Sequence, residues 1–241
     1  MVCFRAIAAP RSGADLSMSY RREVRASDSP FVERVTLVTH EATSREWSTP
    51  DGCWDIVVIR RQGRTIVLQT GLISRPVLLE SEAGDSYLSI SFKPGIFAPK
   101  TPGLEMLDRG LVRPLVSDRA FSMESETLEV PTFENAEGLV DRLVRRGLLA
   151  RDELVESAAD GRARAISPRS MQRHFLSAMG VTPKQFSQIK RACHAVELLE
   201  RGVAPAAVAA EAGYSDQPHL TRALKAIMGR TPGEILRAKM R

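Results

Sequence analysis

The chain has 241 residues, 43% hydrophobic and 26% charged, the composition of an ordinary soluble protein long enough for two domains with separate cores. Its net charge of +5 is uneven: residues 161–241 carry 14 Lys and Arg against 5 Asp and Glu, while residues 1–160 carry 20 against 24. A basic module on a mildly acidic body suits binding to a polyanion, and three features exclude other classes. No run of about 18 apolar residues supports a membrane span, Arg5 and Arg11 interrupt any signal-peptide core, and Cys3, Cys53 and Cys193 form no C-x-x-C pair, which argues against a zinc site or a disulfide framework and for reduced cytoplasmic thiols.

Residues 1–30 are polar, rich in Arg and Ser, and read as a lead-in without periodicity. Strands follow. Phe31–Thr39 is rich in β-branched residues, Trp54–Ile59 is a short buried run, and Thr65–Thr70 and Pro76–Leu79 come next. Tyr87–Lys93 alternates, with Leu88, Ile90 and Phe92 on one face and Ser89 and Ser91 on the other. Short strands separated by Gly and Pro turns predict a β-sandwich or a barrel able to enclose a small ligand. In Pro50–Asp55, Asp51 and Asp55, with Cys53 between them, can line a pocket mouth; the other reading is a capped turn with a core Trp. His40 is the only histidine before residue 174, so no metal or cofactor is expected in the barrel. Beyond it, a helical turn is expected at Leu104–Leu107 and a helix through Phe121–Glu126. Phe133–Leu148 reads as an amphipathic helix, Asp152–Ala159 as another, and Gly161–Ala165 as a loop and domain edge.

The stretch Val203–Pro232, VAPAAVAAEAGYSDQPHLTRALKAIMGRTP, carries the most information. Pro205 opens a helix of small residues, Ala206–Ala212, and Gly213 stops it in the left-handed conformation. Ser215 or Asp216 can cap a second helix whose Leu220, Leu224, Ile227 and Met228 share one face, with Pro218, His219, Arg222 and Lys225 turned outward. A closely packed first helix, a Gly turn and a second helix that is basic outside make a helix-turn-helix, whose second helix lies in the major groove of DNA.

The same pattern occurs 49 residues earlier. Ser167–Phe186, SPRSMQRHFLSAMGVTPKQF, aligns with Asp216–Ile235, matching Arg173 to Arg222, Met179-Gly180 to Met228-Gly229, and Thr182-Pro183 to Thr231-Pro232. Between the copies, Pro183–Arg201 has Phe186, Ile189, Cys193, Val196 and Leu199 on one side and predicts a strut helix. Two reading helices on such a strut can enter neighbouring major grooves, roughly 34 Å apart.

Three segments, Ser167–Phe175, Gly213–Arg222 and Gly229–Pro232, resemble the AraC/XylS family of bacterial transcription regulators over about the last 75 residues. The N-terminal part is similar, more weakly, to the cupin-like barrels of that family. The resemblance implies an α+β chain: lead-in 1–30, cupin-like β-barrel 31–130 for sensing or dimerisation, helical connector 131–160, and an all-α domain 161–241 with two helix-turn-helix motifs. It implies a cytoplasmic regulator that reads double-stranded promoter DNA under control of a small effector or of homodimerisation, and that can contact RNA polymerase. One departure stands out: before Ser167 the chain reads DELVESAADGRARAI, without the Ala-Ala-x-x-Gly-Tyr pattern and with a longer, Arg-containing loop. Whether the first unit reads bases or grips phosphate is left open by that loop.

Candidate DNA contacts are Arg169, Ser170, Gln172 and Arg173 in the first unit and Gln217, Pro218, Thr221, Arg222 and Lys225 in the second. Arg can grip guanine O6 and N7 with two hydrogen bonds and Gln suits adenine. His219 and Thr221 are weaker candidates, while Lys225, Arg230 and Lys184 suit phosphate. Candidate effector contacts are Asp51, Trp54 and Asp55. Cys193-His194 is no catalytic dyad, because adjacent helical residues diverge by about 100° and no third partner is evident. The alternative function is a cupin-type barrel enzyme with a helical interaction tail.

Overall fold

The computed structural model describes residues 2–3, 20–162 and 166–239. Strands come first: β1 (Val2–Cys3), β2 (Tyr20–Arg25), β3 (Val32–His40), β4 (Ser44–Ser48), β5 (Asp55–Arg61), β6 (Arg64–Thr70), β7 (Val77–Ser81), β8 (Ser86–Phe92) and β9 (Ile96–Phe97). A single helical turn, α1 (Gly103–Met106), precedes β10 (Arg109–Arg113), β11 (Leu115–Ser117), β12 (Ala120–Met123) and β13 (Glu126–Glu129). Then come α2 (Ala136–Arg145), β14 (Ala150–Arg151) and α3 (Glu153–Ala159). The chain ends in α4 (Pro168–Met179), α5 (Pro183–Glu200), α6 (Pro205–Glu211), α7 (Gln217–Met228) and α8 (Pro232–Lys239).

The main sheet has seven antiparallel strands in the order β1-β10-β6-β5-β8-β3-β2. Alternation decides which side is buried. Ile56 and Val58 on β5, Val67 on β6 and Leu88, Ile90 and Phe92 on β8 enter one core with Phe121 and Met123 of β12 and with Ala136, Leu139, Val140 and Leu143 of α2. A bidentate pair fastens α2 from the sheet edge: Arg25 donates to Glu137 at 2.6 and 2.8 Å and also to the Phe133 carbonyl.

Three expectations need correction. The barrel does not close: among the described residues, β1 and β2 stand at opposite edges of the seven-stranded sheet, and β4 pairs with β7 in a sheet of its own. Closure needs the edge strands to pair, and these two do not. The lead-in contains a strand, Tyr20–Arg25, in register with β3 from Tyr20↔His40 to Arg25↔Val35; residues 4–19 lie outside the described residues. Phe121–Glu126 is no helix but most of the β12–β13 hairpin, turned by Glu124 and Ser125 at φ 51° and 71°. The loop expected at 161–165 is only partly within the described residues.

The C-terminal helices start and stop where their residues dictate. Ser167, Thr182 and Asp216 cap α4, α5 and α7 through their side chains, and Pro stands in the first turn of each. Gly180 and Gly229, at φ 77° and 71°, end α4 and α7. Both helices therefore begin and end at the offset of 49 found in the sequence.

Candidate nucleic-acid interface

The second module is built from α6 and α7. Small residues let the two helices approach, and Val208, Ala209, Ala212, Tyr214, Leu220, Leu224 and Met228 form a core with Ala192, Ala195, Leu198 and Leu199 of α5. Gly213, at φ 73°, makes the turn. Asp216 accepts from the His219 amide at 2.6 Å and starts α7. With its apolar stripe inward, α7 leaves Gln217, Pro218, Arg222 and Lys225 exposed and Thr221 half-buried. The Thr221 hydroxyl donates to the Gln217 carbonyl at 2.9 Å. Lys225 lies 3.6 Å from Glu234 and Arg230 donates to the Glu234 carbonyl, so both are partly held from the side of α8.

His219 stands apart from the other candidates. Its Nδ1 faces the Ser215 hydroxyl at 3.1 Å, and its ring meets Tyr214 edge-on at 5.2 Å. Arg191 of α5 completes the brace: its guanidinium lies 4.8 Å from the centre of the Tyr214 ring and donates to the Gly213 carbonyl. His219 thus belongs to the support of the turn. Sequence reasoning missed Arg191, because nothing local couples residues 22 positions apart across a turn.

In the first module, α3 and α4 are joined by Asp152, which caps α3 and meets the His174 ring at 2.6 Å. Arg169, Gln172 and Arg173 are exposed along one face of α4, and Ser170 is half-buried, with its amide donating to Ser167. Among the described residues, the side chains of Arg169, Gln172, Arg173, Gln217 and Arg222 carry no hydrogen bond or ion pair, so they are free to meet a ligand. The core under this module differs from that of the second. Phe175, Ala178 and Met179 of α4 and Phe186 and Ile189 of α5 close on Leu72, Phe97 and Leu107 from the N-terminal body. At the end of α4, Gly180 lies against Gly103 of α1. The two modules repeat in sequence but not in support.

The segment Pro50–Asp55 meets the strut helix. A Cβ on Gly52 would come within 3.1 Å of Phe186 and Lys190, and the Cys193 thiol donates to the Pro50 carbonyl at 3.4 Å. Asp51 pairs with Arg34 and accepts from the Cys53 amide. Trp54 stacks on Phe92 at 4.2 Å, and its indole N–H donates to the Ile96 carbonyl at 2.7 Å. Asp55 is half-buried and accepts from the Ser91 hydroxyl at 2.5 Å, and desolvation with Asp51 nearby pushes its pKa up to about 7. Each of the three therefore has an internal partner. Trp54 lines a cavity of about 20 Å³, with room for a single water, between the sheet and α4. Burial raises the Cys53 thiol well above its usual pKa and Cys193 to about 11, so neither is a thiolate at neutral pH.

No helix among the described residues is long and apolar enough to cross a membrane. Residues 162–238 match the profile of a helix-turn-helix domain family. None of the curated proteins is similar enough in sequence to count as a relative. Among solved structures, ToxT from Vibrio cholerae O395 superposes with a TM-score of 0.41 at 9% identity, over 90% of this chain and 98% of that one. Fatty-acid-bound ToxT from Vibrio cholerae strain SCE256 gives 0.34 at 10%, over 93% and 97%. Two capped helices at one repeat distance, each with an outward Arg at the same position, and the matched profile define residues 162–238 as a helix-turn-helix domain, the part of the chain whose sequence resembles the AraC/XylS regulators.

Proposed function

We propose that this regulator reads a two-part promoter site in the cytoplasm, with α4 and α7 in neighbouring major grooves of one DNA face. The observation that carries the reading is the matched placement of free side chains. Arg173 on α4 and Arg222 on α7 lie at the same position of helices that each start at a side-chain cap and end at a Gly, beside Gln172 and Thr221. The strut α5, with its 18 residues, is about 27 Å long, a length suited to holding two helices near one DNA turn apart. Arg169, Gln172, Arg173, Gln217 and Arg222 are assigned to base edges, with Pro218 and Thr221 in apolar contact. Ser170, Lys225, Lys184 and Arg230 are assigned to phosphate. The N-terminal body, with Asp51, Trp54 and Asp55 at its seam to α5, transmits the presence of a small effector or of a second copy, and RNA polymerase is the partner at the promoter.

Selection of duplexes from a random library by the full chain tests this. A two-part motif with half-sites about 10 base pairs apart is expected, with affinity falling steeply as salt rises. Recovery of unrelated sequences, or a flat salt titration, overturns the reading. A thermal-shift screen tests the effector, since a ligand of the folded state raises the melting temperature.

A further inference from the structure

We infer that α1 guards the DNA face of the first module, and that α4 takes its place in the major groove only when α1 leaves it. The inference rests on the reading of α4 as a DNA-entering helix. Pro102, Leu104 and Glu105 form one wall of a groove of about 500 Å³ whose other wall is Arg169, Gln172, Arg173 and Leu176. Arg169, Gln172 and Arg173 of that wall are residues assigned to DNA. A helix with its side chains is about 10–12 Å across and the major groove about 12 Å wide, so the helix fills it and phosphate walls flank it on both sides. Whatever stands against the reading face occupies the place of one wall.

The contact is close. A Cβ on Gly103 would lie 2.5 Å from the Gly180 amide nitrogen and 2.8 Å from the Met179 carbonyl carbon, so backbone meets backbone at the end of α4. The groove wall is also of the wrong kind for DNA. Glu105 is exposed and sets a carboxylate where phosphate would run, and Leu104, 60% exposed, offers an apolar cap in place of a donor. At α7 the body is met at the far end, where Pro76 abuts Gly229, about two turns beyond Arg222. The docked chain thus holds DNA chiefly through α7. Its apparent affinity for the two-part site is lowered by the fraction of molecules whose α1 has moved away.

Full-length chain and the library-selected duplex give the test, by fluorescence anisotropy and hydroxyl-radical footprinting. The φ of Gly103 lies outside the left-handed range, so Gly103→Ala wedges α1 off α4 without turn strain. It is expected to bind roughly tenfold tighter and to deepen the footprint over the first half-site, which the wild-type chain protects only in part. Glu105→Gln changes charge alone and is expected to bind about twofold to fivefold tighter, with a smaller gain at high salt. If both variants bind no tighter and the footprint is unchanged while Arg222→Ala still weakens binding, the guard is overturned and the DNA reading stands. If the wild-type chain prefers no duplex, the DNA reading itself has failed and the guard with it. Hydrogen exchange across 217–228 checks folding; should Gly103→Ala disturb it, Glu105→Gln decides alone.

Discussion

Arg222 differs from Lys225 one turn later in what each is free to do. Arg222 is exposed and carries no partner among the described residues, whereas Lys225 is already 3.6 Å from Glu234. A guanidinium that reads guanine gives sequence preference, and an ammonium shared with a carboxylate gives attraction alone. Arg222→Ala is therefore expected to cost about 1–3 kcal/mol and to relax preference at one position. Lys225→Ala is expected to weaken all sequences alike and to lower the salt slope by about one. Competition binding against single-base variants of the site separates the two, and equal losses on every sequence would remove Arg222 from the readers. Asp55 makes a different kind of claim. Its folded pKa of about 7 lies above the usual carboxylate value, so the folded chain holds a proton that the unfolded chain has lost. Stability then falls as pH rises from about 4 to about 7 and is level above that. Asp55→Asn is expected to remove this decline in denaturant titrations at several pH values. An unchanged pH profile would show that Asp55 is ionised throughout.

At the scale of elements, the repeat was the most legible feature, because caps and stop signals are local chemistry. Of the two caps offered for α7 the chain uses Asp216, and the repeated Met-Gly and Thr-Pro pairs fall at the ends of α4 and α7 and at the starts of α5 and α8. The β12–β13 hairpin was not legible. Its strands are four residues each, and its two-residue turn places Glu124 and Ser125 at positive φ, where Asn-Gly is the usual signal. The open sheet was hidden for another reason: alternation says which residues face inward, but not whether the edges meet. Nor did the sequence disclose that Pro50–Asp55 meets α5 or that α1 meets α4, since both are long-range contacts between unrelated segments. Arg191 is the element-scale residue with the clearest consequence. It ties the strut to the turn through Tyr214 and the Gly213 carbonyl. Arg191→Ala is expected to cost about 1–2 kcal/mol in stability through the lost cation–π contact and hydrogen bond. It should also weaken binding at the second half-site more than at the first, with Lys retaining part of the charge but not the planar contact. Equal losses at both half-sites in footprinting would make Arg191 a general stabiliser and not a support of the turn.

Over the whole molecule, unequal support for the two modules sets how a signal from the N-terminal body can reach DNA. The second module closes its core with helices α5 to α8 alone, while the first borrows Leu72, Phe97 and Leu107 from the body. A change in the body therefore acts on α4 before it acts on α7. Leu72 is 2% exposed and packs in the cluster that holds Phe175, Met179 and Phe186, so its truncation opens a cavity under the first module at a cost of about 2–5 kcal/mol. Local opening spreads through the elements that share the weakened core, and α7 shares little of it. Leu72→Ala is expected to speed amide exchange across 168–179 well before 217–228, and to lose footprint at the first half-site while the second persists. Exchange that rises equally in α4 and α7 would mean that the helices open as one unit, and the body would then have no separate hold on the first reading helix.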